Sequence, residues 1–127
     1  MARARFTANR AGIAAVGRAE FIFRELEHRA DRIRFGLEAE APEDTREYKR
    51  KIGRDRVPAK TATVRVTARA RHSAVLEFGS RPHVIEPKTK KALAWPGGRH
   101  PVQRVRHPGT PALHLLRNAA IKYGGGR

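Results

Sequence analysis

The sequence contains no cysteine, which excludes disulfides, thiolate nucleophiles, zinc ribbons and iron–sulfur clusters. Its six histidines show no His-x3-His spacing and no accompanying acidic cluster, so we expect neither a metal site nor another cofactor. The chain also lacks an uncharged apolar run of about 18 residues, and its Arg-rich start has no apolar signal-peptide core. Neither a membrane span nor secretion is expected.

Acidic residues are scarce in the second half of the chain. Residues 57–127 hold 14 Lys and Arg but only two acids, Glu77 and Glu86, whereas residues 1–56 hold 14 basic and 10 acidic side chains. With a formal net charge of +16, the chain is expected to meet polyanions or an acidic protein surface. The candidate contacts with DNA or with an acidic partner are Arg65, Arg69, Arg71, Lys88, Lys90, Lys91, Arg104 and Arg106.

Groups that carry out catalysis are missing as well. The sequence has no Gly-rich phosphate loop and no nucleophile paired with a base, and its second half supplies little carboxylate chemistry. Aromatic residues make up only 6% of the chain, and no helix-turn-helix or finger motif is present, so base-specific recognition is not indicated. Lys and Arg alone suffice for non-specific phosphate contact. We therefore expect a binding protein and not an enzyme.

A heptad-like pattern predicts one long helix over residues 9–38. Apolar residues recur at alternating steps of four and three from Gly12 to Leu37, and Asn9 precedes them as an N-cap. The stripe suits either a helix laid on the chain's own sheet or a seam with a partner helix. The large apolar residues that fall outside the stripe, and that form a second contact surface if exposed, are Phe21, Ile22 and Phe35.

A charged segment follows this helix. Pro42 ends the helix because a proline pushes the preceding residue out of the α region, and residues 41–58 are interpreted as a charged linker or loop. Within it, residues 43–56 form either a short solvated helix or a mobile loop, and the sequence does not decide between the two. Residues 59–70 then alternate between apolar and polar side chains, which predicts a strand with a cationic polar face.

The remaining elements determine the predicted fold class. A short helix over residues 74–78, short strands bounded by prolines and a last helix over residues 112–122 complete a β-rich part over residues 59–122. This order predicts a single α+β domain over residues 1–127. In it, the long N-terminal helix and the C-terminal helix pack on a small, mainly antiparallel β-sheet.

Three sequence fragments resemble those of a known family. They are Ala-Val-Leu-Glu-Phe-Gly-Ser-Arg-Pro-His-Val-Ile at 74–85, Lys-Ala-Leu-Ala-Trp at 91–95 and Val-Arg-His-Pro-Gly-Thr at 105–110. Their order, between a long helix and a last helix, is similar to that in small tail-component proteins of long-tailed bacteriophages, the tail-completion or head-to-tail joining class. The positions that depart from the family pattern, where Gly, Leu and Thr are usual, are Arg46, Tyr48 and Ser80.

The resemblance implies a structural virion protein of the phage neck. Such a protein forms a homo-oligomeric ring, expected to be a hexamer, that joins the portal or connector of the DNA-filled head to the tail tube. Its neighbours are head-completion proteins and the tail terminator or tube. It is made in the host cytoplasm and located at the head-to-tail junction of the virion. The alternatives are a tail terminator that caps the tube and a non-specific DNA-binding protein.

Within this interpretation, the end of the short helix and the turn after it are expected to form a subunit contact. The residues concerned are Glu77, Phe78 and Arg81, and Glu77 is expected to pair with an arginine of its own chain or of a neighbour. The basic half is expected to face neighbouring rings, because a strongly positive channel would retain DNA that must leave quickly.

Overall fold

A computed structural model describes residues 2–43 and 46–125, which form an α+β structure with two antiparallel strand pairs. The sequence predicts a single domain, whereas the described residues group into two compact units. Unit 1 comprises the described parts of residues 2–70 and 115–125, and unit 2 comprises residues 71–114. Along the chain, unit 2 is therefore an insertion between two stretches of unit 1.

The helices and strands are short apart from one helix. In chain order they are α1 (Arg10–Val16), α2 (Glu20–Glu40), α3 (Glu47–Arg50), β1 (Ile52–Arg56), β2 (Val64–Ala68), α4 (Ser73–Phe78), β3 (His83–Ile85), β4 (Val105–His107) and α5 (Leu115–Tyr123). The antiparallel pairs are β1–β2 in unit 1 and β3–β4 in unit 2. Helix α4 belongs to unit 2, and the other helices belong to unit 1.

The helix predicted over residues 9–38 is two helices, separated at Gly17. Asn9 caps α1 as predicted, since its side-chain oxygen accepts a hydrogen bond from the Gly12 N–H at 2.9 Å. The Gly17 carbonyl accepts from the Ala62 N–H at 2.7 Å, so it bonds to the segment before β2 and not to a next helical turn. Glycine also has a low helix propensity. The long-helix prediction is therefore wrong at residues 17–19.

In the charged segment predicted over residues 41–58, helix α3 agrees with the short-helix alternative for residues 43–56, whereas strand β1 was not predicted there. The register of β1 and β2 places Arg54 opposite Val66. Because directly paired residues share a face of the sheet, Arg54 and Arg56 lie with Ile52 on the side of the apolar residues of β2. Because Arg54 and Arg56 occupy two of the three positions of β1 on this side, the sequence of β1 lacks the alternation of apolar and polar residues that predicts a strand.

The core of unit 1 lies between α2, α5 and the β1–β2 pair. Leu37, Tyr48 and Ala119 are almost completely buried in it. The predicted apolar stripe is confirmed in the C-terminal half of α2, where Ala30 and Leu37 are buried, but Val16 on α1 is exposed. Helix α2 thus supplies the face on which unit 1 is built.

The two later elements of unit 1 match their predictions in part. The strand predicted over residues 59–70 is shorter, since β2 spans Val64–Ala68. The helix predicted over residues 112–122 begins later, at Leu115, because His114 has a positive φ of 50° and is not helical. The predicted α+β class is confirmed. Helix α2 packs on the β1–β2 pair as predicted, whereas α5 packs mainly on α2 and not on the sheet.

Two glycine turns hold unit 2 together. Gly79 and Gly109 have φ of +74° and +94°, conformations that other residues adopt rarely. A Cβ on Gly79 would lie 2.5 Å from the Thr110 carbonyl oxygen, and one on Gly109 would lie 2.4 Å from the Ser80 carbonyl oxygen. Between these glycines, Ser80 and Thr110 exchange two backbone hydrogen bonds, of 2.9 and 3.1 Å. The two turns therefore form one structure.

Helix α2 meets the Tyr123 ring of α5 at Gly36, which has no side chain, and adding one there should destabilise unit 1. A Cβ on Gly36 would lie 2.2 Å from two ring carbons of Tyr123. We expect Gly36→Ala to lower the free energy of unfolding by about 1–3 kcal/mol, the usual cost of overpacking, although alanine favours a helix. Urea unfolding measures this. The control is Gly53→Ala, where a Cβ meets only the Thr67 hydroxyl at 3.9 Å. A Gly36→Ala variant as stable as the wild type would contradict the prediction.

Candidate functional site

Two arginines of β1, Arg54 and Arg56, bind three carboxylates of α2. Arg56 donates from Nη1 and Nη2 to the two oxygens of Glu20, at 3.0 and 2.8 Å, and from Nε to Glu27 at 2.9 Å. Arg54 donates from Nε to Asp31 at 2.7 Å and lies 3.0 Å from Glu27. Bidentate contacts of this kind are among the stronger ion pairs. These five residues, termed the arginine clamp, fasten the β1–β2 pair to α2.

The clamp shifts the ionisation of its members. Hydrogen bonds from Arg56 lower the pKa of the Glu20 and Glu27 carboxyls, and the same bonds raise the pKa of Arg56. The Arg56 guanidinium also lies over the ring of Phe23, 4.6 Å from its centroid, which adds a cation–π contact. Glu20 and Glu27 therefore stay charged to lower pH than free carboxyls.

A second ion pair fastens α5 to the end of α2. Glu40 accepts hydrogen bonds from the Lys122 ammonium and from the Tyr123 hydroxyl, the latter at 2.9 Å. These bonds lower the pKa of the Glu40 carboxyl, and the bond to Glu40 raises the pKa of Lys122 to about 12. Carboxylates of α2 thus form ion pairs with both β1 and α5 within unit 1.

Unit 2 has no comparable supply of acids. Residues 71–114 contain eight Lys and Arg against two acids, Glu77 and Glu86. All eight cations are exposed, and none forms an ion pair with another described residue. They are termed the cationic surface and comprise Arg71, Arg81, Lys88, Lys90, Lys91, Arg99, Arg104 and Arg106.

The structure divides the predicted cationic contacts between the two units. Arg65 lies in β2 and Arg69 directly after it, so both belong to unit 1, where they are exposed. Arg69 lies 3.4 Å from Asp55. The predicted contacts that belong to the cationic surface are Arg71, Lys88, Lys90, Lys91, Arg104 and Arg106. Arg99 is a further member that the sequence prediction omitted.

The phenylalanines of the predicted contact set are exposed. Phe21 and Phe35 on α2 are 61% and 57% exposed, and Phe78 at the end of α4 is 77% exposed. Ile22 is half-buried and Glu77 is buried, so these two offer less to an outside partner. The remaining member, an arginine at position 81, belongs to the cationic surface.

The exposed face of α2 combines apolar and charged groups. Phe21 and Phe35 lie on nearly the same side, because 14 residues make almost four helical turns and span about 21 Å. Charged side chains separate them, including the Arg29–Glu25 pair at 2.8 Å. Arg34 lies over the Phe35 ring, 4.9 Å from its centroid. Two aromatic anchors with charge between them suit a protein contact.

Sequence reasoning missed an exposed apolar surface formed by α1 and the residues before it. Phe6 before the helix and Ile13 and Val16 on it are exposed and line one groove together with Gly12. No residue of α1 is buried. The spacing of Ile13 and Val16 signals one helix face, but the long-helix pattern placed Val16 in the core stripe.

Two histidines face each other in the β3–β4 pair. His83 lies opposite His107 in the register, and their rings stack with centroids 5.0 Å apart. The His83 Nδ1 donates to the Arg81 carbonyl at 2.9 Å, and the Gly109 N–H donates to the His107 Nδ1 at 3.0 Å. Within residues 2–43 and 46–125, no group of three or more potential metal ligands occurs. The stacked rings add a side-chain contact to the backbone pairing of the two strands.

Comparisons with other proteins give no further identification. No family model, no curated protein and no solved structure matches this chain. In the part of the chain that the structure describes, none of the helices combines the length and apolar character that a membrane crossing requires. The exposed surfaces of the two units are therefore the observations from which a function can be inferred.

Acid is expected to weaken the arginine clamp. The pKa values of Glu20 and Glu27 are lowered in the folded state from 4.5, so their ion pairs stabilise the fold above about pH 4.5 and are lost as the pH falls through the lowered values. The urea midpoint should fall more steeply below pH 4.5 in the wild type than in Glu20→Gln/Glu27→Gln, which lacks this contribution at every pH.

The control for this experiment is Glu86→Gln, because Glu86 is exposed and forms no ion pair with another described residue. Its pH profile should match that of the wild type. Parallel profiles for the wild type and the Glu20→Gln/Glu27→Gln variant would show that the clamp does not stabilise the fold.

Proposed function

We propose that the chain is a structural subunit of the neck of a long-tailed bacteriophage, of the tail-completion type. The observation that carries the proposal is that two of the fragments with family resemblance, residues 74–85 and 105–110, fold against each other. Ser80 and Thr110 exchange two backbone hydrogen bonds, and β3 pairs with β4. Fragments that are well separated in sequence thus build one element, as the parts of one functional motif would.

In this proposal, copies of the chain assemble head to tail into a closed ring of six. A head-to-tail interface joins two different surfaces of the subunit. Exposed aromatic anchors are present for both sides, with Phe21 and Phe35 on unit 1 and Phe78 on unit 2. Aromatic side chains of this kind are enriched where protein interfaces gain most of their binding energy. Their exposure supports assembly into a larger structure.

The ring lies in the virion at the head-to-tail junction. On one side it contacts the portal, connector or head-completion proteins, and on the other the tail terminator or tail tube. The cationic surface faces acidic patches of these neighbouring rings. The subunit acts through binding and rigidity, and no chemical step is assigned to it. The arginine clamp supports this role, because it fixes the β1–β2 pair rigidly on α2.

Self-association of the purified chain should strengthen with salt. Each copy carries a formal charge of +16, so neighbouring copies repel one another at low ionic strength. Raising the salt concentration from 0.1 to 1 M shortens the Debye length from about 10 Å to about 3 Å, which removes this repulsion and leaves apolar contacts intact. Sedimentation velocity at both salt concentrations measures the effect. Association that weakens with salt would contradict an apolar ring interface.

The exposed phenylalanines should carry this association. Phe21→Ser/Phe35→Ser and Phe78→Ser are each expected to weaken it roughly tenfold or more, the range of interface hot spots, without lowering the melting temperature. Ile121→Ser is the matched control, since Ile121 is an equally exposed apolar residue of unit 1 outside the predicted contact set. Equal effects of all three variants would show that the phenylalanines are not specific contacts.

The location is tested on virions. Cryo-electron microscopy of phage particles that contain this chain should show a sixfold ring between portal and tail tube into which both units fit. A ring found only on the end of the tube would identify a tail terminator. Absence from the particle, together with DNA binding that weakens steeply with salt, would overturn the proposal in favour of a nucleic-acid-binding protein.

A further inference from the structure

The loop between β3 and β4 presents a tryptophan on an ordered turn. Leu93 and Val102 exchange two backbone hydrogen bonds, of 2.7 and 3.0 Å, which close the loop over residues 93–102. Within it, the Gly98 N–H donates to the Trp95 carbonyl at 3.0 Å. Trp95 is nevertheless 49% exposed. A large apolar side chain is therefore held at a fixed point on the surface of unit 2.

The same loop carries most of the cationic surface. Five of the eight cations lie between β3 and β4, against one acid, Glu86. They are Lys88, Lys90, Lys91, Arg99 and Arg104, all of them exposed and without an ion pair to another described residue. Solvent and salt alone balance these charges until an anionic partner binds.

Cationic and apolar groups meet at a cavity of about 220 Å³ in the first part of the loop. Lys88, Thr89 and Lys90 line it together with four apolar residues, Pro87, Ala92, Leu93 and Ala94. A carboxylate at the end of a short methylene chain would find donors for its oxygens and apolar contact for its stem. The lining therefore suits an acidic side chain.

We infer that this loop docks an acidic segment of a protein partner that also carries apolar side chains. An acidic side chain of the partner enters the cavity between Lys88 and Lys90, and an apolar one packs on Trp95. The inference rests on the proposed function for the place of this partner, a neighbouring ring of the neck. The docking itself needs only unit 2 and can be measured without a virion.

The exposed apolar groups favour a protein over duplex DNA. Contacts with the phosphate backbone need cations alone, and interfaces with DNA are more polar than those between proteins. Trp95 and Val84 are both large, apolar and exposed on unit 2, and aromatic residues with arginines are typical of protein interfaces. Charge disfavours a second copy of this chain as the occupant, because several acids of its unit 1 pair internally and its net charge is +16.

Trp95 makes the docking directly measurable, because it is the single tryptophan of the sequence. The full-length chain is titrated with a short synthetic peptide of Glu and Leu residues while the emission of Trp95 is recorded. Saturable binding with a shift of the emission to shorter wavelength is expected, since an apolar side chain then covers the indole. Lys88→Gln/Lys90→Gln should weaken the binding roughly tenfold.

The matched control is Arg18→Gln/Lys60→Gln, which removes the same charge from exposed positions of unit 1. It should change the affinity little, because screened charges outside the contact contribute weakly. Circular dichroism of both double variants should equal that of the wild type, since all four side chains are exposed.

Three results would overturn the inference. One is that both double variants weaken the peptide equally, which would reduce the effect to net charge. Another is that the peptide binds without changing the emission of Trp95. The third is a larger emission change and tighter, lysine-dependent binding with a DNA duplex of equal charge, which would assign the loop to nucleic acid. Absence of the chain from the virion neck would refute the proposed function but leave peptide binding as it was measured.

Discussion

The structure of unit 1 depends on two arginines on the side of strand β1 that faces helix α2. Arg54 and Arg56 lie where apolar side chains are usual, and although both remain exposed, carboxylates of α2 bind and neutralise them there. A shift of the register by one residue would turn both guanidiniums to the opposite face and leave Glu20 and Glu27 without them. Charge complementarity therefore specifies the register of this sheet together with apolar burial.

The same ion pairs decide which cations of the molecule stay without an acid. Several carboxylates of unit 1 pair with its own arginines and lysines, so these acids do not neutralise cations elsewhere. Unit 2 contains too few acids to do the same, and its eight cations form no ion pair with another described residue. Both units also expose aromatic side chains, Phe21 and Phe35 on unit 1 and Phe78 and Trp95 on unit 2. Exposed aromatic groups together with unpaired cations suit the proposed binding of the subunit to its own copies and to different neighbours.

Local signals were predictable from the sequence, and non-local ones were not. The cap at Asn9 and the glycine turn at Gly79 follow from the chemistry of single residues, and the stripe of α2 from its period. The break at Gly17 depends on a hydrogen bond from Ala62, and β1 is disguised by its arginines, so neither has a local signature. At the surface, the positions of Phe21 and Phe35 outside the apolar stripe of α2 indicate their exposure, whereas the burial of Glu77 depends on tertiary packing.

Helix α1 contributes no buried side chain, and the Ala62 N–H that bonds to the Gly17 carbonyl bonds through the backbone alone. Changes in the apolar residues of this helix therefore cost the fold little. The segment can therefore accept substitutions that change its exposed apolar surface, and with it what that surface binds, while the arginine clamp and the core of α2 stay as they are.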